Sequence, residues 1–180
     1  MEKKIVNYTE CLAETVKAFS ESRVLLASAG RDRKPNMMAI GWGTIGVIWG
    51  RPIFIVLVRP SRHTFRLIQE TGDFTVNVAP AALIETVTYC GTVSGRDHDK
   101  FQERRLTALP ARNVTSPVIK ECLINFECKV IHKNDLIPSE ISPEIIPEVY
   151  PKDDFHRVFF GQIIACFKNV IVSTKFENIQ

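Results

Sequence analysis

Short apolar runs ending on turn residues set the strongest limit on this fold. The longest uninterrupted apolar run is Ile53 to Val58, and the other strand candidates are equally brief and bounded by Gly, Pro or charged residues. No strand and helix alternate in the βαβ rhythm, and without crossovers of a dozen or more residues neighbouring strands pair antiparallel. We therefore expect a mainly β chain with minor α, folded as an antiparallel barrel of six or seven strands. The same shortness excludes a bilayer-spanning helix, which needs about 20 apolar residues. Lys3 and Lys4 resemble the start of a leader, but Asn7, Tyr8, Thr9 and Glu10 interrupt any apolar stretch at once, so a cytoplasmic location is expected.

Along the chain, residues 1–22 read as an N-terminal helical segment with Leu12, Val16 and Phe19 on its packed face. Arg23 to Ala29 is a strand, GRDRKPN a turn in which Pro35 stops pairing, and Asn36 to Ile48 and Ile53 to Arg59 are two further strands of a meander, joined by WGRP. Ser61 to Thr71 reads as a helix with Ser61 as its N-cap and Gly72 as its stop. A strand from Phe74 to Val78, a helix from Ala81 to Tyr89, and strands at Cys122 to His132 and His156 to Phe167 follow. Between those last two lies an acidic segment, 137–154, with prolines at 138, 143, 147 and 151 and one Lys against five acids. Such proline spacing forbids a continuous helix or central strand, leaving an extended surface excursion that is either a solvated loop or a cover for a ligand or partner.

At 180 residues the chain suits a single domain, 1–180, that buries about 70% of its unfolded surface without staples. Its five cysteines are odd in number and lack CxxC or zinc spacing, which suits reduced core residues. A net charge of +3 is too small to argue for nucleic acid, but it is unevenly spread: 16 basic and 11 acidic residues through Arg112 leave 7 and 9 for the remainder. An anionic ligand held by the first part of the chain would account for that excess, and so would chance clustering on a solvated surface.

Three motifs bear on function. GWGTIG (Gly41 to Gly46) matches G-x-G-x-x-G literally, but VIWGRP follows where a helix must begin and no acidic ribose ligand lies about 20 residues on, so a Rossmann reading fails. Trp42, between two of these glycines, suits either a core position or a flat ring ligand. RPSRHTF (Arg59 to Phe65) places arginines and two hydroxyls at a strand-to-helix junction, where free N–H groups and the helix dipole favour phosphate; the alternative is a capped helix with solvated arginines. SGRDHDKF (Ser94 to Phe101) is rich in charge, yet His98 has no second ligand at metal spacing. No nucleophile, base or paired-carboxylate arrangement can be assembled, so any chemistry would come from a bound cofactor.

Taken in order, PNMMAIGWGTI, RPSRHTF, TGDFTVNVAP, CGTVSGRDHDKF, FECKVIH and HRVFFGQI resemble the flavin reductase-like, FMN-binding split-barrel family, its flavoredoxin branch above all, over about Arg23 to Phe167. The resemblance implies a six-stranded Greek-key split β-barrel, a homodimer with FMN near the interface, and no metal. It implies that Asn36, Met37, Met38 and Ala39 run along the flavin, that Trp42 and Thr44 border the ring and ribityl chain, and that Arg59, Ser61, Arg62 and Thr64 grip the phosphate. Ser94, Gly95 and Lys100 match the family's closing loop, with Lys100 as charge partner, and His156 would face the flavin from the final strand. The implied function is an FMN-dependent oxidoreductase or electron-transfer protein, with NAD(P)H or a reduced iron-sulfur protein as electron donor. The alternatives are a non-catalytic flavin-binding or sensory module and a pyridoxine-phosphate-oxidase-like enzyme on the same barrel.

Overall fold

A computed structural model describes residues 3–169. The strands are β1 (Lys3–Ile5), β2 (Val24–Ala29), β3 (Pro35–Ala39), β4 (Gly43–Ile48), β5 (Arg51–Val58), β6 (Asp73–Val78), β7 (Ala108–Leu109), β8 (Val118–Ile119), β9 (Ile124–Asp135) and β10 (Arg157–Asn169). The helices are α1 (Leu12–Ser20), α2 (His63–Thr71), α3 (Ile84–Thr92), α4 (Lys100–Glu103) and α5 (Ile145–Val149), with single 3₁₀ turns at Tyr8–Cys11, Ala81–Leu83 and Pro138–Glu140. All pairings are antiparallel, in the order β3-β2-β6-β9-β10-β5-β4, with β1 added on β10 and β7-β8 as a separate pair.

Chain connectivity forces this sheet to curl. Its end strands, β3 and β4, are consecutive in sequence and joined only by Ile40, Gly41 and Trp42. Three linking residues reach at most about 15 Å, whereas a flat seven-strand path would part its edges by about 29 Å at 4.8 Å per strand. The edges are brought together without pairing, which leaves a barrel split between β3 and β4. Inside it sit Phe54, Phe74, Phe126 and Phe159, all fully buried. A second core lies outside β2, where Leu25, Ala27 and Met37 meet Val87, Cys90 and Phe101 of α3 and α4. Buried on both faces, β2 shows no exposed position.

Several sequence expectations need correction. Asn36 to Ile48 is two strands on opposite edges of the sheet, and Pro35 opens β3 instead of preventing pairing, as an edge strand allows. The meander is thus two separate hairpins. The second turns at Trp49 and Gly50, both with positive φ (54° and 68°), as a two-residue hairpin loop demands. The N-terminal segment carries strand β1, the 3₁₀ turn buries Cys11, and α1 buries Thr15 and Ala18 while Val16 stays 64% exposed. Helix α2 begins at His63 with Arg62 at the N-cap, so Ser61 does not cap it; Gly72 does end it, at φ 71°. The sheet path has seven strands and β1 makes eight, against the six or seven read from the residues and the six that the resemblance implies.

Candidate functional site

The split in the barrel is where the informative motifs meet. Helix α2 starts directly after β5, β3 runs beside it, and the Ser94 to Lys100 turn closes from α3. These surround a cavity of about 130 Å³ lined by Asn36, Met38, Ala39, Ser61, Arg62, His63, Thr64, Cys90, Gly91, Val93, Ser94, Gly95, Arg96 and Lys100. A second cavity, about 270 Å³, adjoins it through Met38, Ala39 and Arg62 and extends over Ile40, Gly41, Trp42, Leu57, Arg59 and His156. Among the described residues neither lining contains a carboxylate, while Arg62, Arg96 and Lys100 face the first and Arg59 and Arg62 the second.

The first cavity is built from buried polar groups. Thr64, 2% exposed, accepts a 2.8 Å hydrogen bond from Asn36 Nδ2, which leaves its own hydroxyl proton to give. Gly95 is required here by close approach: a Cβ would overlap Asn36 Oδ1 and lie 3.3 Å from His63 Cδ2. Lys100, 4% exposed, donates to the carbonyls of Met37 and Cys90, each at 2.9 Å, so it ties β3 to the carbonyl end of α3; burial lowers its pKa. His63 Nδ1 is buried without a partner among the described residues, and burial, then Arg66, Arg96 and Lys100, lower the His63 pKa. Arg96 extends to the Ser61 carbonyl (3.1 Å), and the Ser94 hydroxyl accepts from Arg96 N (3.2 Å). Around these groups the first turn of α2 supplies N–H groups without intrahelical acceptors. An orphaned imidazole nitrogen, cations without acids and a helix start together suit a phosphate or similar anion.

The remaining expected residues differ in how they reach the site. Met37 is fully buried in the second core and reaches the site only through its carbonyl. Thr44 lies exposed on β4 and lines neither cavity. Arg59 lines the second cavity, and its guanidinium is engaged by the end of the acidic segment: Nη1 donates to Asp154 O (2.7 Å) and Nη2 to Val149 O (2.9 Å). Ser61 borders the first cavity, but its hydroxyl donates to Asp154 Oδ2. Trp42 is 45% exposed, with its ring 4.9 Å from that of His156, so it is no core aromatic. From Gly43 onward the G-x-G-x-x-G run is strand β4, with Gly43 close against Phe19.

Sequence reading missed His63, Arg96 and Tyr150. The first two stand inside the motifs already singled out, and their adjacency to Ser61 and Gly95 was the available signal. Tyr150 was hidden in the acidic segment, where composition suggested solvent.

The mainly β split barrel is a fold shared with solved flavin reductase-like domains. Residues 18–172 match the flavin reductase like domain family, and the chain belongs to it. An uncharacterised Archaeoglobus fulgidus protein is 36% identical over 98 residues, 54% of this chain and 55% of its own length, so the alignment spans little more than half of that relative. Among solved structures, the flavoredoxin of Desulfovibrio vulgaris (Miyazaki F) is 28% identical with a TM-score of 0.65, over 81% of this chain and 68% of its own. An FMN-binding domain of a flavin reductase-like enzyme from Shewanella baltica, 18% identical, shares the fold with a TM-score of 0.65 over 93% of this chain and 77% of its own. Membership in the family supports a flavin-binding redox role. Among the described residues no helix is long and apolar enough to cross a membrane.

Proposed function

We propose that this chain binds FMN across the two cavities and acts as an oxidoreductase or electron-transfer protein of flavoredoxin or flavin reductase type. The observation that carries this reading is the first cavity, where Arg62, Arg96 and Lys100 converge beside His63 at the start of α2 with no carboxylate among the described lining residues. Arg62, Thr64, Ser94 and Lys100, with the backbone at Gly95, hold the phosphate, and Ser61 borders it with its hydroxyl engaged by Asp154. Asn36, Met38 and Ala39 run beside the cofactor, and Trp42 and His156 flank the wider second cavity, where their rings can lie against a flat ring. Bound there, a flavin supplies hydride and single-electron chemistry. The protein excludes water through Met38, Ile40 and Leu57 and sets a positive potential through Arg59 and Arg62, which favours an anionic reduced ring. Thr44 stands outside this assignment.

Electrons would come from NAD(P)H or a reduced iron-sulfur protein, through the open side beside Trp42. A homodimer is part of the proposal: Val47 and Trp49, 64% and 63% exposed on the β4-β5 hairpin, are apolar surface that a second copy would cover. A cytoplasmic setting is supported by five buried free thiols.

The test is titration of the purified protein with FMN, FAD and riboflavin, followed by anaerobic addition of NADH. FMN preferred over riboflavin by at least tenfold supports the phosphate site, and absence of flavin binding overturns the proposal. Bound FMN that neither NADH nor a reduced ferredoxin bleaches would identify a non-catalytic flavin module instead.

A further inference from the structure

Most of the acidic 137–154 segment is exposed, but Val149, Tyr150 and Asp154 near its end are not. Tyr150 is 4% exposed. Arg59 holds the backbone on both sides of it, through Val149 O and Asp154 O, and places its guanidinium 5.0 Å from the Tyr150 ring centre; Ser61 adds the bond to Asp154. Phe155 stacks on the same ring at 4.7 Å. This clamp sets the Tyr150 phenol 2.9 Å from Nδ1 of His156, whose ring lies beside Trp42 in the wall of the second cavity.

The proton in that bond has two possible owners, and burial chooses between them. If Nδ1–H donated, the phenol hydrogen would be left without an acceptor among the described residues, at a cost of about 1–3 kcal/mol for an unsatisfied buried group. If the phenol donates, both atoms are satisfied and the ring hydrogen resides on Nε2, which has no partner among the described residues. The imidazole is neutral near pH 7: burial, then the charges of Arg59 and Arg62, bring its pKa to about 4 against the opposing pull of Asp154. Burial raises the Tyr150 pKa, with Arg59 opposing, so the phenol keeps its proton.

We propose that Tyr150 is a positioning residue that fixes His156 as a neutral Nε2–H donor toward the second cavity, for an acceptor atom on the edge of a planar ligand. The ligand half of this rests on the flavin reading above; the proton placement does not. The acidic segment is thereby more than a solvated loop, since its clamped end sets the donor pattern of the cavity.

The test is long-range ¹H–¹⁵N NMR of the ligand-free protein at pH 7, with the His156 signals assigned by their loss in His156→Gln. The expected result is the Nε2–H tautomer in the unaltered protein and, in Tyr150→Phe, a tautomer mixture with a raised His156 pKa. An Nδ1–H tautomer in the unaltered protein, or a folded Tyr150→Phe variant with unchanged tautomer and pKa, overturns the proposal. A second measurement is the dissociation constant of FMN, expected to rise about two- to tenfold in Tyr150→Phe, and an unchanged value overturns the ligand half. Protein that bound no FMN at all would sink the flavin reading, while the tautomer would still decide the role of Tyr150.

Discussion

Gly95→Ala is the smallest change that tests how the first cavity is built. The added methyl would overlap the Asn36 carboxamide oxygen and stand 3.0 Å from Asn36 Cγ, where ordinary contacts begin near 3.4 Å. Asn36 is 7% exposed and bonded to Thr64, so its displacement breaks that 2.8 Å bond and leaves a buried amide without its partner. A lost hydrogen bond of about 1 kcal/mol and an unsatisfied buried group of about 1–3 kcal/mol together predict destabilisation of about 2–4 kcal/mol. Asn36→Ala alone removes the bond and the obstruction together, for about 1–2 kcal/mol. With the Asn36 carboxamide gone, the closest remaining of the three nearest contacts is His63 Cδ2, at 3.3 Å, which a few tenths of an ångström relieves. The double variant should therefore be only slightly less stable than Asn36→Ala, giving a coupling of about 1.5–3 kcal/mol, well above the ~0.5 kcal/mol scatter of independent sites. Urea denaturation of the four proteins measures it. If the two costs simply add, Gly95 does not pack on Asn36 and this account of the cavity fails.

Three further outcomes follow from the same geometry. Arg62→Ala and Thr64→Ala should each weaken FMN binding by about 1–3 kcal/mol, roughly 5- to 150-fold, and unchanged affinity in both would place the phosphate elsewhere. Because the folded-state pKa of His156 is about 4 against an ordinary 6.5, the unfolded chain binds a proton the folded one does not between those values, so stability falls as pH drops from 6.5 toward 4. His156→Gln should flatten that part of the stability profile by at most ~1.4 kcal/mol per pH unit, and parallel profiles would contradict the shift. Arg59→Ala should release the end of the acidic segment, seen as at least tenfold faster hydrogen exchange at the Tyr150 and Asp153 amides with little change in β6 and β9; unaltered exchange would show that Arg59 is no clamp.

What could be read from the residues depended on whether the deciding force was local. The β6 strand, the stop of α2 at Gly72, and the long β9 and β10 strands follow from apolar runs and turn chemistry, and all were legible. The break at Ile40 to Trp42 was not, because an apolar run cannot show that its two halves pair with different neighbours; that is set by β2 and β5. The packed face of α1 was misjudged for a similar reason. Val16 fits the helical spacing, but the neighbouring barrel receives Thr15 and Ala18.

The site shows the same division more sharply. Asn36, Arg62, Thr64, Ser94, Gly95 and Lys100, from three separate stretches, meet around one cavity, so the motifs identified the place. Arg59 shows where motif reasoning stops. From sequence it is equivalent to Arg62, a cation at a strand-to-helix junction, but two carbonyls nearly a hundred residues away engage it before any ligand does. A guanidinium has fixed donor directions, and one committed to two carbonyls can lend a ligand its charge but not the same hydrogen bonds. Arg59 thus divides the anion site from the acidic segment: Arg62, Arg96 and Lys100 remain to face the first cavity, while Arg59 holds Tyr150 against His156. A charge-reversing or neutral change at Arg59 should accordingly disturb the second cavity more than the first, the reverse of what its place in RPSRHTF suggests.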